Sequence, residues 1–283
     1  MIGFSLNHEK VFKLSFSNLQ MGKVIGILSL KGGVGKTSSV VSLGAALASF
    51  GKKVLLVDAN FSAPNLGIHL NVINPDKTIH HVLNGDIPVE EAIHNLESFD
   101  IIPASVYPKK EFDPLKLKDK IRPLRNKYDF ILIDSSPSLN NETLATILSS
   151  DELFVVSTPD YSTLTMTLKA IALAKKRGTP ISGLILNKVY NNKFELSIGE
   201  IERTSEVPVL AVIPHDLSVL KSQYYFIPST FLKPKSDLSI EYKKLAACLS
   251  GEKYKPFRIK EIFQNISPKR QEVNRELFYI SAF

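Results

Sequence analysis

Short apolar runs alternate with longer helical patterns from residue 23 to about residue 250. The apolar runs are nearly continuous, which is typical of parallel strands covered on both faces. They are Lys23–Ser29, Lys53–Asp58, Phe99–Pro103, Asp129–Asp134, Glu152–Ser157, Ile181–Asn187 and Val209–Ile213. Helical spacing lies between them, for example in Ser38–Phe50, Leu115–Arg122, Asn141–Leu148, Leu164–Lys176 and Leu238–Ser250. This alternation predicts a doubly wound α/β fold, with a mainly parallel sheet of about seven or eight strands and helices on both faces.

The same pattern divides the 283-residue chain into a central domain over residues 21–250 and two terminal segments. Residues 1–20 precede the first strand pattern, and we interpret them as a disordered extension or a misannotated start. An extra strand docked on the domain remains open there, because apolar residues alternate at Phe12, Leu14 and Phe16. Residues 251–283 form a separate C-terminal tail.

Composition narrows the classes of protein to which the chain can belong. The net charge of +7 permits an anionic partner, whether a nucleotide, a nucleic acid or a lipid headgroup, without choosing among them. A single cysteine, Cys248, excludes an internal disulfide and any metal or iron–sulfur site built from several cysteines of one chain. No apolar run approaches the roughly 20 residues of a membrane span, and the first twenty residues lack the apolar core of a secretory signal. We therefore expect a cytoplasmic protein.

A phosphate-binding loop is predicted at Ser29–Thr37, which reads Ser-Leu-Lys-Gly-Gly-Val-Gly-Lys-Thr between a strand and a helix. Glycines let the backbone turn its N–H groups towards phosphate oxygens, and the helix N-terminus adds a favourable dipole. Lys36 is predicted to reach the β- and γ-phosphates, and the Thr37 hydroxyl to ligate Mg²⁺. The predicted nucleotide contacts of this segment are Lys31, Gly32, Gly33, Val34, Gly35, Lys36, Thr37 and Ser38.

Lys31 departs from the ordinary phosphate-loop pattern, as does Leu30, which stands where that pattern has glycine. The run Lys-Gly-Gly-Val-Gly-Lys-Thr resembles the deviant Walker A motif of the MinD/ParA family of P-loop ATPases. The resemblance covers about residues 22 to 250 and implies an ATPase that forms a homodimer when ATP is bound. It further implies that Lys31 crosses the dimer interface to the partner's nucleotide. A second cation there would neutralise charge on the transferred phosphoryl group, as an arginine finger does.

Two apolar strand patterns end in aspartate, at Asp58 and at Asp134. The carboxyl ends of parallel strands meet at the ligand crevice of an open α/β sheet, so both carboxylates are expected at the site. The resemblance implies that Asp134 holds Mg²⁺ through water and that residues 58–67 form the first switch segment. The candidate metal set is Thr37, Asp58 and Asp134.

Asn60 stands where many members of the family carry an aspartate linked to hydrolysis. An amide can orient a water molecule but cannot accept its proton. We therefore predict ATP binding with slow turnover, and the candidate catalytic residues are Lys31, Lys36, Asp58 and Asn60.

The resemblance also implies an adenine site, in which the Asn187 side chain reads the base edge and the loop at Pro214 contacts the purine through its backbone. The segment Thr78–Ala92 looks MinD-like as well. Three histidines in this part of the chain come without an accompanying ligand set, so we interpret them as surface or helix-packing residues: His80, His81 and His94.

The tail carries an apolar stripe at helical spacing, formed by Ile259, Ile262, Phe263 and Ile266. It is flanked by the basic residues Lys255, Arg258 and Lys260, and a second apolar pattern follows at Val273, Leu277 and Ile280. A basic, apolar-striped segment is typical of a helix that lies on an anionic membrane surface, as in MinD-type proteins. A helix packed on its own domain or on a partner remains open.

Three functions are compatible with these features. The first is a MinD-like ATPase that positions a cellular assembly such as the division machinery, peripheral to the inner face of the cell membrane, with an unknown activator or cargo protein. The second is a ParA-like partitioning ATPase that binds DNA nonspecifically, and the lack of a helix-turn-helix or arginine-rich stripe disfavours it. The third is a nucleotide-gated scaffold with little hydrolysis, which Asn60 suggests.

Overall fold

A computed structural model describes residues 21–108, 110–190, 193–256 and 268–282. Its strands are β1 (Lys23–Leu28), β2 (Val54–Ala59), β3 (His94–Asn95), β4 (Asp100–Ile102), β5 (Phe130–Ser135), β6 (Glu152–Ser157), β7 (Ile181–Val189) and β8 (Val209–Pro214). Its α-helices are α1 (Lys36–Ala48), α2 (Leu66–His69), α3 (Ile79–Asn84), α4 (Leu117–Ile121), α5 (Asn141–Ser149), α6 (Tyr161–Arg177), α7 (Ile198–Ser205), α8 (Ser218–Tyr225), α9 (Ser229–Leu232), α10 (Asp237–Ser250) and α11 (Arg270–Ala282).

The strands form one eight-stranded sheet in the order β3-β4-β2-β5-β1-β6-β7-β8. Every neighbouring pair is parallel except β3 and β4, which run antiparallel. The predicted doubly wound α/β fold is confirmed, and each of the seven predicted strands has a counterpart. The strand that the pattern missed, β3, has two residues, which is too short to show an alternation.

Helices cover both faces of the sheet, which explains why its strands lack a polar face. Along β2, the neighbouring residues Leu55 and Leu56 are both fully buried, yet they belong to apolar clusters on opposite faces. The cluster around Leu56 includes residues of α1 and α10, and the cluster around Leu55 includes residues of α3, α4 and α5. Because both faces are covered, ligands can approach the sheet only at its edges and strand ends.

Each of the five predicted helices has a counterpart with bounds shifted by up to three residues, and two of the shifts have a local physical reason. The helix expected over Leu115–Arg122 is a short α4 flanked by 3₁₀ turns, Pro114–Lys116 and Arg122–Asn126. Pro123 lacks an N–H and lies in the second of these turns, so the α-helical ladder cannot continue through it. The helix expected over Leu164–Lys176 begins earlier, because Asp160 caps it by accepting a hydrogen bond from the backbone N–H of Thr163.

The helix α11 packs against β8 and α10. β8 is the last strand of the sheet, and its outer edge is covered by side chains instead of a further strand. Asn274 Nδ2 donates to the Val209 carbonyl at 2.8 Å, and Arg275 Nη1 donates to the Leu210 carbonyl at 2.7 Å. The buried Arg275 also pairs with Glu241 of α10 at 2.8 Å.

The apolar pattern at the end of the tail does not mark the packing face of α11. Val273, Leu277 and Ile280 are exposed by 40%, 62% and 75%, whereas the buried residues of the helix are Gln271 and Arg275. The first apolar stripe, Ile259, Ile262, Phe263 and Ile266, lies outside the described residues, as do residues 1–20. Within the described ranges, no helix combines the length and apolar character needed to cross a bilayer.

Candidate functional site

A cavity of about 430 Å³ opens at the carboxyl ends of β1, β2, β5, β7 and β8. The phosphate loop forms its floor, the loops that follow β2 and β5 form one wall, and the loops that follow β7 and β8 form the other. The predicted site residues among its lining are Lys31, Gly32, Gly33, Val34, Gly35, Lys36, Thr37, Ser38, Asn60, Asn187 and Pro214. Residues from five separate strand ends therefore meet at one place, as the position of the motifs predicts.

The phosphate loop takes a backbone conformation that requires glycine. Gly35 has φ 92° and forms the N-cap of α1, so it lies in the left-handed region that disfavours other residues. A Cβ at Gly35 would also lie 2.2 Å from Nδ2 of Asn187. This close approach brings the carboxyl end of β7 against the N-terminus of α1, where backbone N–H groups can bind an anion.

Lys36 is buried in the cavity wall and pairs with Asp134. Its Nζ donates to Asp134 Oδ1 at 2.7 Å and also to the Ser135 carbonyl, and its side chain is 7% exposed. The Thr37 hydroxyl donates to the other carboxylate oxygen of Asp134 at 2.6 Å. The lysine and threonine that the motif assigns to phosphate and Mg²⁺ thus share one fully buried carboxylate.

Asp58 adds a second buried carboxylate beside Asp134. It accepts backbone hydrogen bonds from Asn60 at 3.1 Å and from Leu66 at 3.0 Å, which fixes the start of the loop after β2. Burial, followed by repulsion from Asp134, raises the pKa of Asp58 far above its usual range, although these hydrogen bonds and Lys36 oppose the shift. Two carboxylates against one lysine make a site that gains from a further cation, and the oxygen donors of Asp58, Asp134 and Thr37 are the kind that Mg²⁺ prefers.

Asn60 lines the cavity and is 4% exposed. Its Nδ2 donates to the Ala63 carbonyl, which fixes the orientation of the amide. Its Oδ1 is buried and has no hydrogen-bond partner among the residues that the structure describes. This oxygen can accept a hydrogen bond from water, but an amide cannot take the proton away.

Lys31 lies at the rim of the cavity, apart from the buried cluster. Its Nζ donates to Thr163 Oγ1 at 2.9 Å and to Asp160 Oδ1 and Ser162 Oγ at 3.3 Å each, at the N-terminus of α6. Burial raises the pKa of Asp160, but hydrogen bonds from Thr158, Thr163 and Lys31 outweigh it and lower that pKa to about 2. The Lys31 side chain is 36% exposed, in contrast to that of Lys36.

The far wall of the cavity carries the residues predicted to contact the base. Asn187 Nδ2 donates to the Val34 carbonyl at 2.7 Å, and Lys188 Nζ donates to the Gly33 carbonyl at 2.7 Å. Asn187 therefore supports the phosphate loop in addition to lining the cavity. Next to Pro214, the ring of His215 stacks on Tyr190 with centroids 4.5 Å apart.

Several residues at the site carry no signal in a contiguous motif. Asp160 accepts a hydrogen bond from Lys31, which lies 129 positions away in the sequence, and Glu142 accepts one from Ser62, which lies 80 positions away. His69 and Gln223 line the cavity from opposite walls, with Nε2 of each 3.0 Å apart. Of these residues, Asp160 alone could have been singled out from the local sequence, because an aspartate three residues before a threonine at the start of a helix is typical of an N-cap.

Comparison with known proteins agrees with the geometry. A family model described as an AAA domain matches residues 22–181. The chain is 36% identical over 237 residues to an uncharacterized ATP-binding protein of Methanocaldococcus jannaschii. The aligned region covers 83% of this chain and 90% of that protein. It is 30% identical over 243 residues to the septum site-determining protein MinD of Thermotoga maritima, with 82% of this chain and 89% of that protein covered.

Among solved structures, the cell division ATPase MinD of Pyrococcus furiosus superposes with a TM-score of 0.78 at 36% identity, covering 82% of this chain and 99% of that chain. The Pyrococcus horikoshii septum site-determining protein MinD, complexed with Mg-ADP, gives 0.77 at 34% identity, with 87% and 100% covered. Together with the phosphate loop and its two lysines, these similarities show that the chain belongs to the MinD/ParA family of P-loop ATPases.

Proposed function

We propose that the chain is an ATP-driven switch that binds ATP with Mg²⁺ and forms a homodimer in the ATP-bound state. The observation that carries the proposal is the separation of its two loop lysines. Lys36 is buried against Asp134 inside the cavity, whereas Lys31 is partly exposed at the rim and bound to the N-terminus of α6. An amine at the rim is accessible to the nucleotide of a second copy, as the family's dimer requires.

Each residue of the cavity has a task in this account. The amine of Lys36 and the N–H groups of the phosphate loop bind and orient the β- and γ-phosphates. Thr37, Asp58 and Asp134 hold Mg²⁺, which neutralises phosphate charge. Asn187 and the loop at Pro214 enclose the base, and Asn187 also keeps the phosphate loop in place through Val34.

We propose that ATP turnover is slow because position 60 carries an amide, Asn60, and not a carboxylate. Asn60 lines the cavity, and its Oδ1, which has no partner among the described residues, is the group proposed to orient an attacking water. Removal of the water's proton then falls to the phosphate itself or to Asp58, the nearest carboxylate in the sequence. The expected result is a long-lived ATP-bound dimer.

The surface that the dimer binds is proposed to be an anionic membrane, which makes the protein peripheral to the inner face of the cell membrane. The support is the stripe Ile259, Ile262, Phe263 and Ile266 with its flanking basic residues. The exposed apolar residues of α11, Val273, Leu277 and Ile280, are a second apolar surface of the tail for such contact. Two tails in one dimer would bind more strongly than one, because the second contact is intramolecular.

A role in positioning another assembly is proposed from the relatives. The relative in Thermotoga maritima is named for septum-site determination, and an Aquifex aeolicus MinD structure contains a MinC:MinD complex. We accordingly expect a protein activator or cargo. Nonspecific DNA binding by a ParA-like dimer is the second candidate, supported by the net charge of +7, and a slowly hydrolysing scaffold is the third.

Co-sedimentation with anionic liposomes and with DNA, each with ATP and with ADP, separates these candidates. The proposal predicts sedimentation with liposomes that increases in ATP, and loss of this increase on deleting residues 257–267. Sedimentation with DNA alone would favour the partitioning function. Binding to neither surface in either nucleotide would leave the scaffold as the better account.

A further inference from the structure

We propose that Glu142 is a positioning residue for ATP turnover: through Ser62 it ties the loop after β2, which carries Asn60, to the loop that follows Asp134 and Ser135 at the end of β5. The proposal rests on the ATPase function proposed above. Ser62 Oγ donates to Oε1 of Glu142, which lies in the first turn of α5. Within the described residues, this is a direct side-chain bond between the two loop regions that flank the cavity.

Glu142 is buried although no cation pairs with it among the described residues, which is unusual for a carboxylate. The residue is 6% exposed, its Oε2 is buried, and that oxygen has no hydrogen-bond partner in the part of the chain that the structure describes. Such a group costs stability, because a buried charge or lone pair that leaves water needs partners. An apolar side chain at this position of α5 would avoid the cost. The bond to Ser62 therefore explains the presence of a carboxylate better than a contribution to stability does.

On one side the bridge holds the loop after β2. Ser62 lies between Asn60 and Ala63, which are joined by the hydrogen bond from Asn60 Nδ2 to the Ala63 carbonyl. The same loop is anchored further on by the bond from the Leu66 N–H to Asp58. A shift of Ser62 therefore moves the short turn that fixes the Asn60 amide.

On the other side the bridge holds the loop after β5. Thr143, the neighbour of Glu142, donates its hydroxyl to the Ser136 carbonyl at 3.1 Å and to the Ser138 carbonyl at 2.6 Å. This loop directly follows Asp134 and Ser135, which end β5 and are the partners of Lys36. Glu142 and Thr143 together make the first turn of α5 a common support for both loops.

Neither member of the bridge lines the cavity. The groups that bind phosphate belong to the phosphate loop, which the bridge does not contact through any hydrogen bond among the described residues. Loss of the bridge is therefore expected to lower kcat, by displacing Asn60, with little effect on nucleotide affinity. A misplaced water-orienting group costs on the order of tenfold or more in rate.

The test compares Ser62→Ala with a matched control, Ser182→Ala. Ser182 Oγ donates to Glu152 Oε2 at 2.5 Å, which is the same pair of chemical groups, but at the opposite end of the sheet. Ser62→Thr keeps the hydroxyl and serves as the conservative variant. The double variant Ser62→Ala with Glu142→Met removes both polar partners, so stability is expected to recover while the bridge stays absent.

Phosphate release at varied ATP gives kcat and KM, and hydrogen exchange measures the two loops directly. We expect Ser62→Ala and the double variant to lower kcat by about tenfold, with KM changed by less than about twofold. Amide exchange should rise both in residues 60–66 and in residues 135–142 for these two variants, and in neither segment for Ser182→Ala. Ser62→Thr should behave as the natural chain.

Recovery of kcat along with stability in the double variant would overturn the positioning role, as would equal effects of Ser62→Ala and Ser182→Ala. If the natural chain released no phosphate, the proposed turnover would be wrong. Amide hydrogen exchange alone would then test whether the bridge couples the two loops. Faster exchange confined to residues 60–66 in Ser62→Ala would then contradict coupling of the loops.

Discussion

The cavity and the contact between α11 and β8 each bury a cation against a carboxylate, but the charges are balanced in only one of them. At α11, Arg275 pairs with Glu241 and lies 3.9 Å from Glu272, which pairs with Lys244, so two cations meet two anions. Beside the cavity, Lys36 pairs with Asp134 and lies near Asp58, so one cation meets two buried carboxylates.

This difference distinguishes a structural contact from a binding site. The charges at α11 are paired within the fold and stabilise the position of a helix, although Nη2 of Arg275 has no hydrogen-bond partner among the described residues. The unbalanced cluster keeps the pKa of Asp58 raised and leaves Asn60 Oδ1 without a partner in the described residues, so it gains when a cation and an oriented water are supplied. We expect changes in the first region to alter stability alone and changes in the second to alter binding and turnover.

The largest effect is expected from Lys36→Ala. Loss of the amine removes the main side-chain contact to phosphate and leaves the two carboxylates without their cation, so ATP affinity should fall by more than about hundredfold. Calorimetry with a non-hydrolysable ATP analogue measures this. Lys52→Ala, which removes a partly exposed lysine paired with Glu252, is the control and should bind normally. Undiminished binding by Lys36→Ala would contradict the phosphate-loop assignment.

The converse change is Arg275→Met. It leaves Glu241 buried without its cation and the Leu210 carbonyl without its donor, so the free energy of unfolding should fall by about 3 kcal/mol. ATP affinity should stay the same, because α11 does not line the cavity. Urea denaturation gives the first quantity and calorimetry the second. Lys175→Met, at an exposed pair with Glu206, should change neither. A loss of ATP affinity in Arg275→Met would show that the two regions are coupled.

These two regions also differ in how far sequence could predict them. The phosphate loop and the aspartates at the ends of β2 and β5 are local signals. The carboxyl end of a parallel strand lies at the ligand crevice, so these residues can be placed there without knowledge of distant contacts. The packing face of α11 is not local, because its anchors are Asn274 and Arg275, whose partners lie 65 positions away in β8. Apolar periodicity therefore selected Val273, Leu277 and Ile280, which are exposed.

The same limit applies inside the site. Lys31 could be singled out from its motif, but its contacts with Asp160 and Thr163 depend on where α6 begins relative to β1. The bridge between Ser62 and Glu142 joins two loops that only the sheet order brings together. Such residues become visible only when the strand order β2-β5-β1-β6 is known.

A smaller effect is expected from Asn60→Asp, which adds a possible proton acceptor to the cavity. Steady-state phosphate release at saturating ATP should rise by about tenfold, with ATP affinity little changed, because general bases contribute strongly to the chemical step. Asn65→Asp, at a more exposed residue of the same wall, is the control for the added charge. A fall in turnover on introducing aspartate at position 60 would show that the amide suits this site better.

The smallest effect concerns pH. Burial, with a further contribution from His81, lowers the pKa of His80 to about 4, and its ring packs edge-on against Phe61 of the loop after β2. A histidine with a lowered folded-state pKa binds its proton first in the unfolded state, so stability is lost as pH falls from about 6.5 towards 4. Between pH 7 and pH 5, the free energy of unfolding of His80→Leu should fall by about 2 kcal/mol less than that of the natural chain in urea denaturation. Equal losses would show that His80 does not titrate in this way.

The central claim, that ATP converts the chain into a dimer through Lys31, is tested most directly by the molar mass in solution. Light scattering with size exclusion compares the natural chain and Lys31→Ala, each with a non-hydrolysable ATP analogue and with ADP. We predict a dimer for the natural chain with the ATP analogue and a monomer with ADP. Lys31→Ala should remain a monomer in both, while calorimetry shows that it still binds nucleotide. A natural chain whose mass is the same in both nucleotides, or a Lys31→Ala variant that dimerises normally, would contradict the account.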